Sequence, residues 1–419
     1  MSSSSSSEYS QSCRLEGEPL SSRQRSEDGD GVWPEHFVES VAIRLANEAA
    51  KLDGKLASAQ ALTNLFQVCS TWRRASQSEL LWQTLSHDIW FVDALRRPTW
   101  EEEYSYWHRT AVNFRTGNSK HREINIHDSP ENNRLACRRL TVSDHYLASG
   151  YVDGSVRLFE LPSSRHIATF HPDLNRAHLG LFSRSISGLF LEASTLVFAS
   201  QAGDIEVAST DEDVDDRGIS RLARVGNLVE DGVLVDFTGK GSYWVGLFSG
   251  VPDRSFRVWS FNEDEVALLF VGGNLMNPNA VIGWRMLTDF PSVVGRVRVV
   301  EDRSYQDGVV AVVGCSSSFI QTAEVSGEGM TLEEHSLGGM VAVGSVDLCE
   351  GNLMVVESMT GLAKVHQLRT MEEVCRFSTG GAVHGGSIAG GLNWGYVVVC
   401  RGNRIKVWDV RTGINSDRL

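Results

Sequence analysis

The sequence predicts an α+β multidomain chain: a short helical module, then an all-β repeat. Three observations carry this. Between Pro34 and Leu85 apolar residues recur at helical spacing. From about residue 112 the pattern changes to short apolar runs that come in pairs around tight turns. Those pairs then recur along the rest of the chain, at steps of roughly 49, 51, 64, 43 and 42 residues. The expected organisation is a Ser-rich disordered tail over 1–30, a helical module over 31–90, a helical linker over 91–118 and the β repeat over 119–419.

The tail comes first. Ser2 to Ser7 form one run, and the residues up to about 30 are too polar to bury a core. They read as an inert tail rather than as a phosphorylated regulatory segment. The following residues open the module. Pro34 suits the first turn of a helix, where its missing N–H costs nothing. Phe37, Val41 and Leu45 then form one apolar stripe, widened by Val38 and Ala42. Asp53-Gly54 reads as a turn. Leu62, Leu65, Phe66 and Cys69 form a second stripe, and a third short helix carries Trp72 toward Leu81 and Trp82. Three such helices cannot cover all these apolar groups among themselves, so the leftover surface points to a partner.

Stripes of this kind also fit the core of an ordinary helical domain. Their order is what discriminates. Trp33-Pro34-Glu35, then Val68-Cys69-Ser70-Thr71-Trp72, then Leu81-Trp82 resembles an F-box, a helical module that clips onto the adaptor of a cullin-type ubiquitin ligase. Two features depart from the usual pattern: Trp33 stands where Leu is common, and the connection from about Asn47 to Ser58 reads as long. On this reading Trp33, Pro34, Val41, Leu65, Val68, Trp72 and Trp82 build or brace the adaptor surface.

Thr99 and Glu102 make a capping box that starts the linker helix, which carries Tyr104, Trp107, His108 and Ala111. Six β units follow. Leu147–Gly150 precedes Val156–Phe159 across Asp153-Gly154. In the same way Leu196–Ser200 precedes Gly203–Val207, and Tyr243–Leu247 precedes Asp253–Trp259. Val309–Val313 precedes Ser318–Thr322, Leu353–Val356 precedes Gly361–Val365, and Tyr396–Val399 precedes Asn403–Asp409. A period of this size, with four short strands per unit, is the signature of a β-propeller. Val258-Trp259 and Val407-Trp408-Asp409 are WD-like endings; the other units are degenerate. The expectation is a propeller of six to seven WD-like blades. It is six-bladed, or lacks a C-terminal blade, or is closed by strands near Val112–Phe114 and Glu123–Ile126. Substrate recognition is expected on one end face, where inter-strand loops converge.

Composition narrows the function classes. The net charge of −14, with 53 acidic against 39 basic residues, argues against a general nucleic-acid binder or an anionic-membrane binder. No run approaches the length of a membrane span, and no apolar stretch follows the N-terminus as in a signal peptide. The seven cysteines include no C-x-x-C pair, which fits a reducing intracellular compartment. The acidic run Asp211–Asp216 lacks the alternating ligands and turn glycine of a calcium loop and reads as a solvated turn. His171 and His178 are too far apart for a helical metal pair. No P-loop, H-E-x-x-H or G-x-S-x-G motif occurs. Cys69 lies on the helical stripe with no base beside it, so it is not read as a thioester cysteine. The expectation is a non-catalytic protein without cofactor or metal.

Three segments are more specific than any of these patterns: Asn64–Trp72, Trp107–Thr116 and Asp236–Pro252. Through them the chain, from Trp33 onward, resembles the STERILE APETALA-like plant F-box proteins with a WD-repeat-like propeller. The resemblance implies a nuclear substrate receptor of an SCF-type ligase, bound to a Skp-type adaptor and through it to a cullin. It implies a role in flower development and organ size, with PEAPOD and KIX-type transcriptional repressors as the substrates marked for degradation. It also implies a further WD-like repeat beyond Leu419 in family members. The alternative is a propeller scaffold in a transcription-regulating complex, without a ligase role.

Overall fold

The structure is a computed structural model. It describes residues 33–92, 94–120, 122–125, 135–172, 180–192, 194–210, 217–251, 254–262, 265–272, 296–301, 310–315, 319–326, 329–336, 343–349, 351–357, 360–379, 388–393, 395–402, 404–411 and 415–416. The tail over 1–30, the acidic run 211–216 and His178 lie outside these residues. The chain is a mixed α+β protein in two compact units, Met1–Tyr106 and Trp107–Leu419.

The first unit is helical. It holds α1 (Glu35–Asp53), α2 (Ala57–Phe66), α3 (Ser70–Ala75), α4 (Glu79–Trp90) and the start of α5 (Trp100–Thr116). Pro34 stands one residue before α1, and its carbonyl accepts the first helical bonds from Phe37 N and Val38 N at 2.9 and 3.2 Å. The Asp53-Gly54 turn ends α1, with Gly54 at φ 92°. Two expectations are corrected here, and the side of the α1 stripe that is buried becomes clear. The connection between α1 and α2 is only Gly54–Leu56, because α1 keeps its period well past Asn47. Leu81 and Trp82 sit on their own helix, started by Ser78, whose hydroxyl accepts from Leu81 N at 3.3 Å. The buried face of α1 is Val38, Ala42 and Ala46, not Phe37, Val41 and Leu45.

The core of this unit is aromatic. The Trp82 ring lies 5.1 Å from Tyr104 and 6.2 Å from Phe66, and Trp90 lies 6.1 Å from Tyr104. Leu62, Leu65, Leu81, Leu85 and Ile89 fill the remainder. Thr99 caps α5 by accepting from Glu102 N at 3.2 Å, and the buried Glu103 accepts from Arg97 Nη1 at 3.1 Å. The Tyr104 hydroxyl meets Ser58 Oγ at 2.7 Å, and Ser58 Oγ donates to Lys55 O at 2.5 Å. Burial pushes the Tyr104 phenol up to about 12, against the smaller opposing pull of its hydrogen bond with Ser58. Its folded pKa is raised, so its contribution is complete below about pH 10 and is lost as pH rises toward 12. The stability lost over that range is about 2–3 kcal/mol. We therefore expect alkaline unfolding that Tyr104→Phe suppresses; a pH titration of the thermal midpoint for both proteins checks this.

The second unit carries α5's last turns and then successive antiparallel sheets. The first meander is β1 (Cys137–Val142), β2 (Tyr146–Tyr151), β3 (Val156–Glu160) and β4 (Arg165–Phe170). After α6 (Leu181–Arg184) come β5 (Ile186–Glu192), β6 (Thr195–Ser200), β7 (Ile205–Ser209), the two-residue β8 (Arg217–Gly218) and β9 (Arg221–Arg224). After α7 (Leu228–Asp231) come β10 (Val233–Lys240), β11 (Tyr243–Ser249), β12 (Phe256–Asn262) and β13 (Glu265–Gly272). The fourth meander is β14 (Arg296–Glu301), β15 (Val310–Cys315), β16 (Phe319–Ser326) and β17 (Gly329–Ser336). The fifth is β18 (Val343–Cys349), β19 (Asn352–Glu357), β20 (Leu362–Gln367) and β21 (Glu373–Ser378). The sixth is β22 (Ile388–Asn393), β23 (Tyr396–Arg401), β24 (Arg404–Asp409) and β25 (Asn415–Ser416).

All six hairpins expected from the sequence are antiparallel pairs: β2–β3, β6–β7, β11–β12, β15–β16, β19–β20 and β23–β24. The first turns on Asp153-Gly154. Asp153 Oδ1 accepts from Ser155 N at 3.0 Å, and Gly154 sits at φ 89°, where an added Cβ would also lie 2.7 Å from Arg184 O. The second and third meanders share one sheet through a single parallel pairing, Phe237 with Gly188. β8 leaves its own meander and pairs in parallel with β4, covering the outer edge of the first sheet.

Between successive meanders lie apolar cores. Phe170 and Phe198 join the first to the second; Phe237 and Trp244 pack with Phe190 between the second and third. Phe256 and Val297 join the third to the fourth, Ile320 and Val346 the fourth to the fifth, and Met354 and Val399 the fifth to the sixth. The first strands adjoin in the order β1, β5, β10, β14, β18, β22. They are held by side chains. Ser187 Oγ donates to Leu234 O at 2.6 Å, Asp236 Oδ2 accepts from Val297 N at 2.9 Å, and Ser345 Oγ donates to Gly390 O at 2.9 Å. Arg139 donates to Ser187 O at 2.6 Å and Val235 O at 3.1 Å. Asp236 pairs with Arg139 at 3.5 Å and with Arg298 at 3.3 Å, and Arg298 Nε approaches Asp347 at 4.0 Å. Burial lowers the Arg139 pKa and raises that of Asp347.

Among the described residues near Val112–Phe114 and Glu123–Ile126 there is no closing strand. Val112–Phe114 are the last turns of α5, which continue its helical period, and Glu123–Asn125 are irregular; Ile126 lies outside the described residues. The fourth strand of the last meander is β25, paired as Val407 with Ser416 and Trp408 with Asn415.

Candidate functional site

The chemistry of the helical unit lies in what α1 leaves uncovered. Small alanines at 42 and 46 let the neighbouring helices come close on one side. The large apolar residues are thereby turned outward. Trp33 is 52% exposed, Leu52 is 72% exposed, and Phe37 and Leu45 are exposed as well, with Val41 half-buried between them. At 1.5 Å per residue, the stripe from Phe37 to Leu52 is about 22 Å long. The Trp33 ring stacks on Phe37 at 4.9 Å and 18°, so the stripe begins with a preformed aromatic pair. Arg44 and Lys51 border this stripe, and the exposed Glu48 falls within it, between Phe37 and Val41 round the helix. An exposed apolar stripe of this kind is suited to binding a protein.

The sequence-predicted adaptor residues divide by position. Trp33, Pro34 and Val68 are exposed, Val68 to 64%. Val41 and Trp72 are half-buried. Leu65 and Trp82 are buried in the core, where the Trp82 indole donates to Ser76 O at 2.6 Å. Phe37, Leu45 and Leu52 were missed as surface groups, because periodicity alone cannot say which of two apolar stripes faces inward. Cys69 is exposed and stands just before α3, off the buried stripe to which its spacing assigned it. His171 is exposed. Among the described residues, no group of three or more His, Cys, Asp or Glu side chains is placed to hold a metal ion. No helix among them is long and apolar enough to cross a membrane.

Comparison with known proteins gives one close relative. Over 399 residues the chain is 40% identical to the transcriptional regulator STERILE APETALA of Arabidopsis thaliana, covering 94% of this chain and 85% of that protein. The chain belongs to the STERILE APETALA family. No protein-family model matches it. Among solved structures, the computationally designed Ika8 protein aligns over 71% of this chain and 78% of its own, with a TM-score of 0.46 and 16% identity. Saccharomyces cerevisiae Sqt1 aligns over 67% and 85%, with a TM-score of 0.43 and 11% identity. The family likeness runs through both the helical and the β unit.

Proposed function

We propose that this member of the STERILE APETALA family is the substrate-recognition subunit of an SCF-type ubiquitin ligase. The observation that carries the reading is the outward apolar stripe of α1, led by the Trp33–Phe37 stack, on a helical unit whose core is complete without it. In this reading the helical unit is an F-box and the stripe docks a Skp-type adaptor, which in turn holds the cullin. The six meanders form a WD-like propeller that presents substrates. What supports the ring is the sequence of adjoining first strands and the apolar cores between consecutive meanders. The substrates are transcriptional repressors of the PEAPOD and KIX type, marked for degradation in the nucleus to set flower development and organ size. The protein itself is not a catalyst.

A second reading has its own support. The relative is named a transcriptional regulator, which fits a propeller scaffold in a transcription-regulating complex. Co-purification with a plant Skp-type adaptor separates the two. Stoichiometric capture of the adaptor by the folded chain is the expected result. A folded chain that leaves the adaptor unbound favours the scaffold.

A further inference from the structure

The junction between the sixth and first meanders is built differently from the other five. Each of those has an apolar core and a pair of adjoining first strands. Among the described residues, no strand pairing and no first-strand adjacency of that extent joins β22 to β1. Leu140 and Val142 on β1 stay more than half exposed, although β1 is the first strand of its meander. What does reach both meanders is the segment that runs from the end of α5 to Arg122. Phe114 stacks on Tyr396 of β23 at 5.9 Å and 20°. Arg122 Nη1 donates to Leu161 O at 3.1 Å and to Pro162 O at 2.6 Å, at the turn between β3 and β4.

The chain just after the first of these anchors has a defined turn. Gly117 takes φ 68°. Its N–H donates to Phe114 O at 3.4 Å, and Asn118 N–H donates to Asn113 O at 2.9 Å. These two bonds are the paired closure that ends a helix on a left-handed glycine. The Asn118 amide adds a bond to Asn113 Oδ1 at 3.3 Å. The chain therefore leaves α5 in a fixed direction, with Phe114 held on one side of the turn and Arg122 on the other.

We propose that Phe114–Arg122 is a strap that clasps the last meander to the first, in place of strand pairing, and that this junction is the point where the β unit opens. Opening would expose the edges of β1 and β22, while the five junctions with apolar cores stay shut. One aromatic pair and two hydrogen bonds to an exposed arginine make a weaker clasp than a buried core.

Hydrogen exchange of the full chain, compared amide by amide, tests this. Phe114→Leu keeps helix propensity and apolar volume but removes the stack. Arg122→Gln removes the charged donor at an exposed site. Each is expected to raise exchange about three- to tenfold in β1, β2 and β23 and to leave β10 and β11 unchanged; a tenfold change corresponds to about 1.4 kcal/mol. The double variant is expected to exceed either single one in the same strands. An even rise across all meanders, or no rise in β1 and β23, overturns the strap.

Discussion

Trp244→Ala is expected to cost the β unit about 3–5 kcal/mol, which is the range for truncating a buried tryptophan. Trp244 is 1% exposed and lies at the junction of the second and third meanders. Its indole stacks on Phe261 at 4.5 Å and 19°, and meets Phe237 edge-on at 6.3 Å. Phe237 in turn lies 6.0 Å from Phe190 of the second meander. The deletion therefore leaves a cavity among aromatic rings that come from both meanders. Their strands are fixed by ladder hydrogen bonds, so they cannot collapse into it. Urea unfolding, followed by circular dichroism, should show a lowered midpoint. Trp244→Phe should recover part of the loss, because it restores ring volume against Phe237. A loss below about 1 kcal/mol would mean that the site relaxes freely, against the packing described here.

Asp236→Ala is the second large effect, about 3–5 kcal/mol, as for a buried ion pair that loses one partner. The carboxylate is buried and holds Arg139, Arg298 and the backbone N–H of Val297 at once. Its removal strands Arg139, which is mostly buried, beside other cations. Arg298 is one-third exposed and can turn to water, so most of the cost arises at Arg139 and at Val297 N. Asp236→Asn keeps an acceptor for Val297 N and should cost less than Ala. Equal costs for Asn and Ala, measured by the same unfolding experiment, would show that the charge matters more than the hydrogen bond.

Half of each meander was legible in the sequence, and the reason is local. The second and third strands form a hairpin across a tight turn, so apolar runs and turn residues such as Asp153-Gly154 stand close together. The first strands were harder to read, because they answer to neighbouring meanders and not to the next turn. Arg138-Arg139, Ser187-Gly188 and Gly390-Gly391 look unlike buried strands. Several of them also carry a register shift, at Cys137/Arg139, Ile186/Gly188, Leu234/Asp236 and Val343/Ser345. A bulge of this kind re-aims a side chain, and here Arg139, Ser187, Asp236 and Ser345 bond the adjacent first strands. No period-two rule finds that pattern. On α1 the period was right, but spacing alone did not say which side of the stripe is buried. Val38, Ala42 and Ala46 lie one position along from Phe37, Val41 and Leu45, about 100° round the helix, so the two stripes adjoin on a helical wheel. Small residues won the core side because helices pack closer over alanine.

The outward side of that stripe gives the proposed docking surface its test. Phe37→Ser with Leu45→Ser removes two large apolar groups from the outward stripe and leaves Val38, Ala42 and Ala46 in place. The measurement is a titration of the full chain with a plant Skp-type adaptor, with urea unfolding of the same samples. The prediction is at least about a tenfold loss of affinity, the scale of a truncated interface anchor, with an unfolding midpoint close to that of the unaltered protein. Unchanged affinity in a variant that folds normally would contradict the account and remove the α1 stripe as the adaptor site.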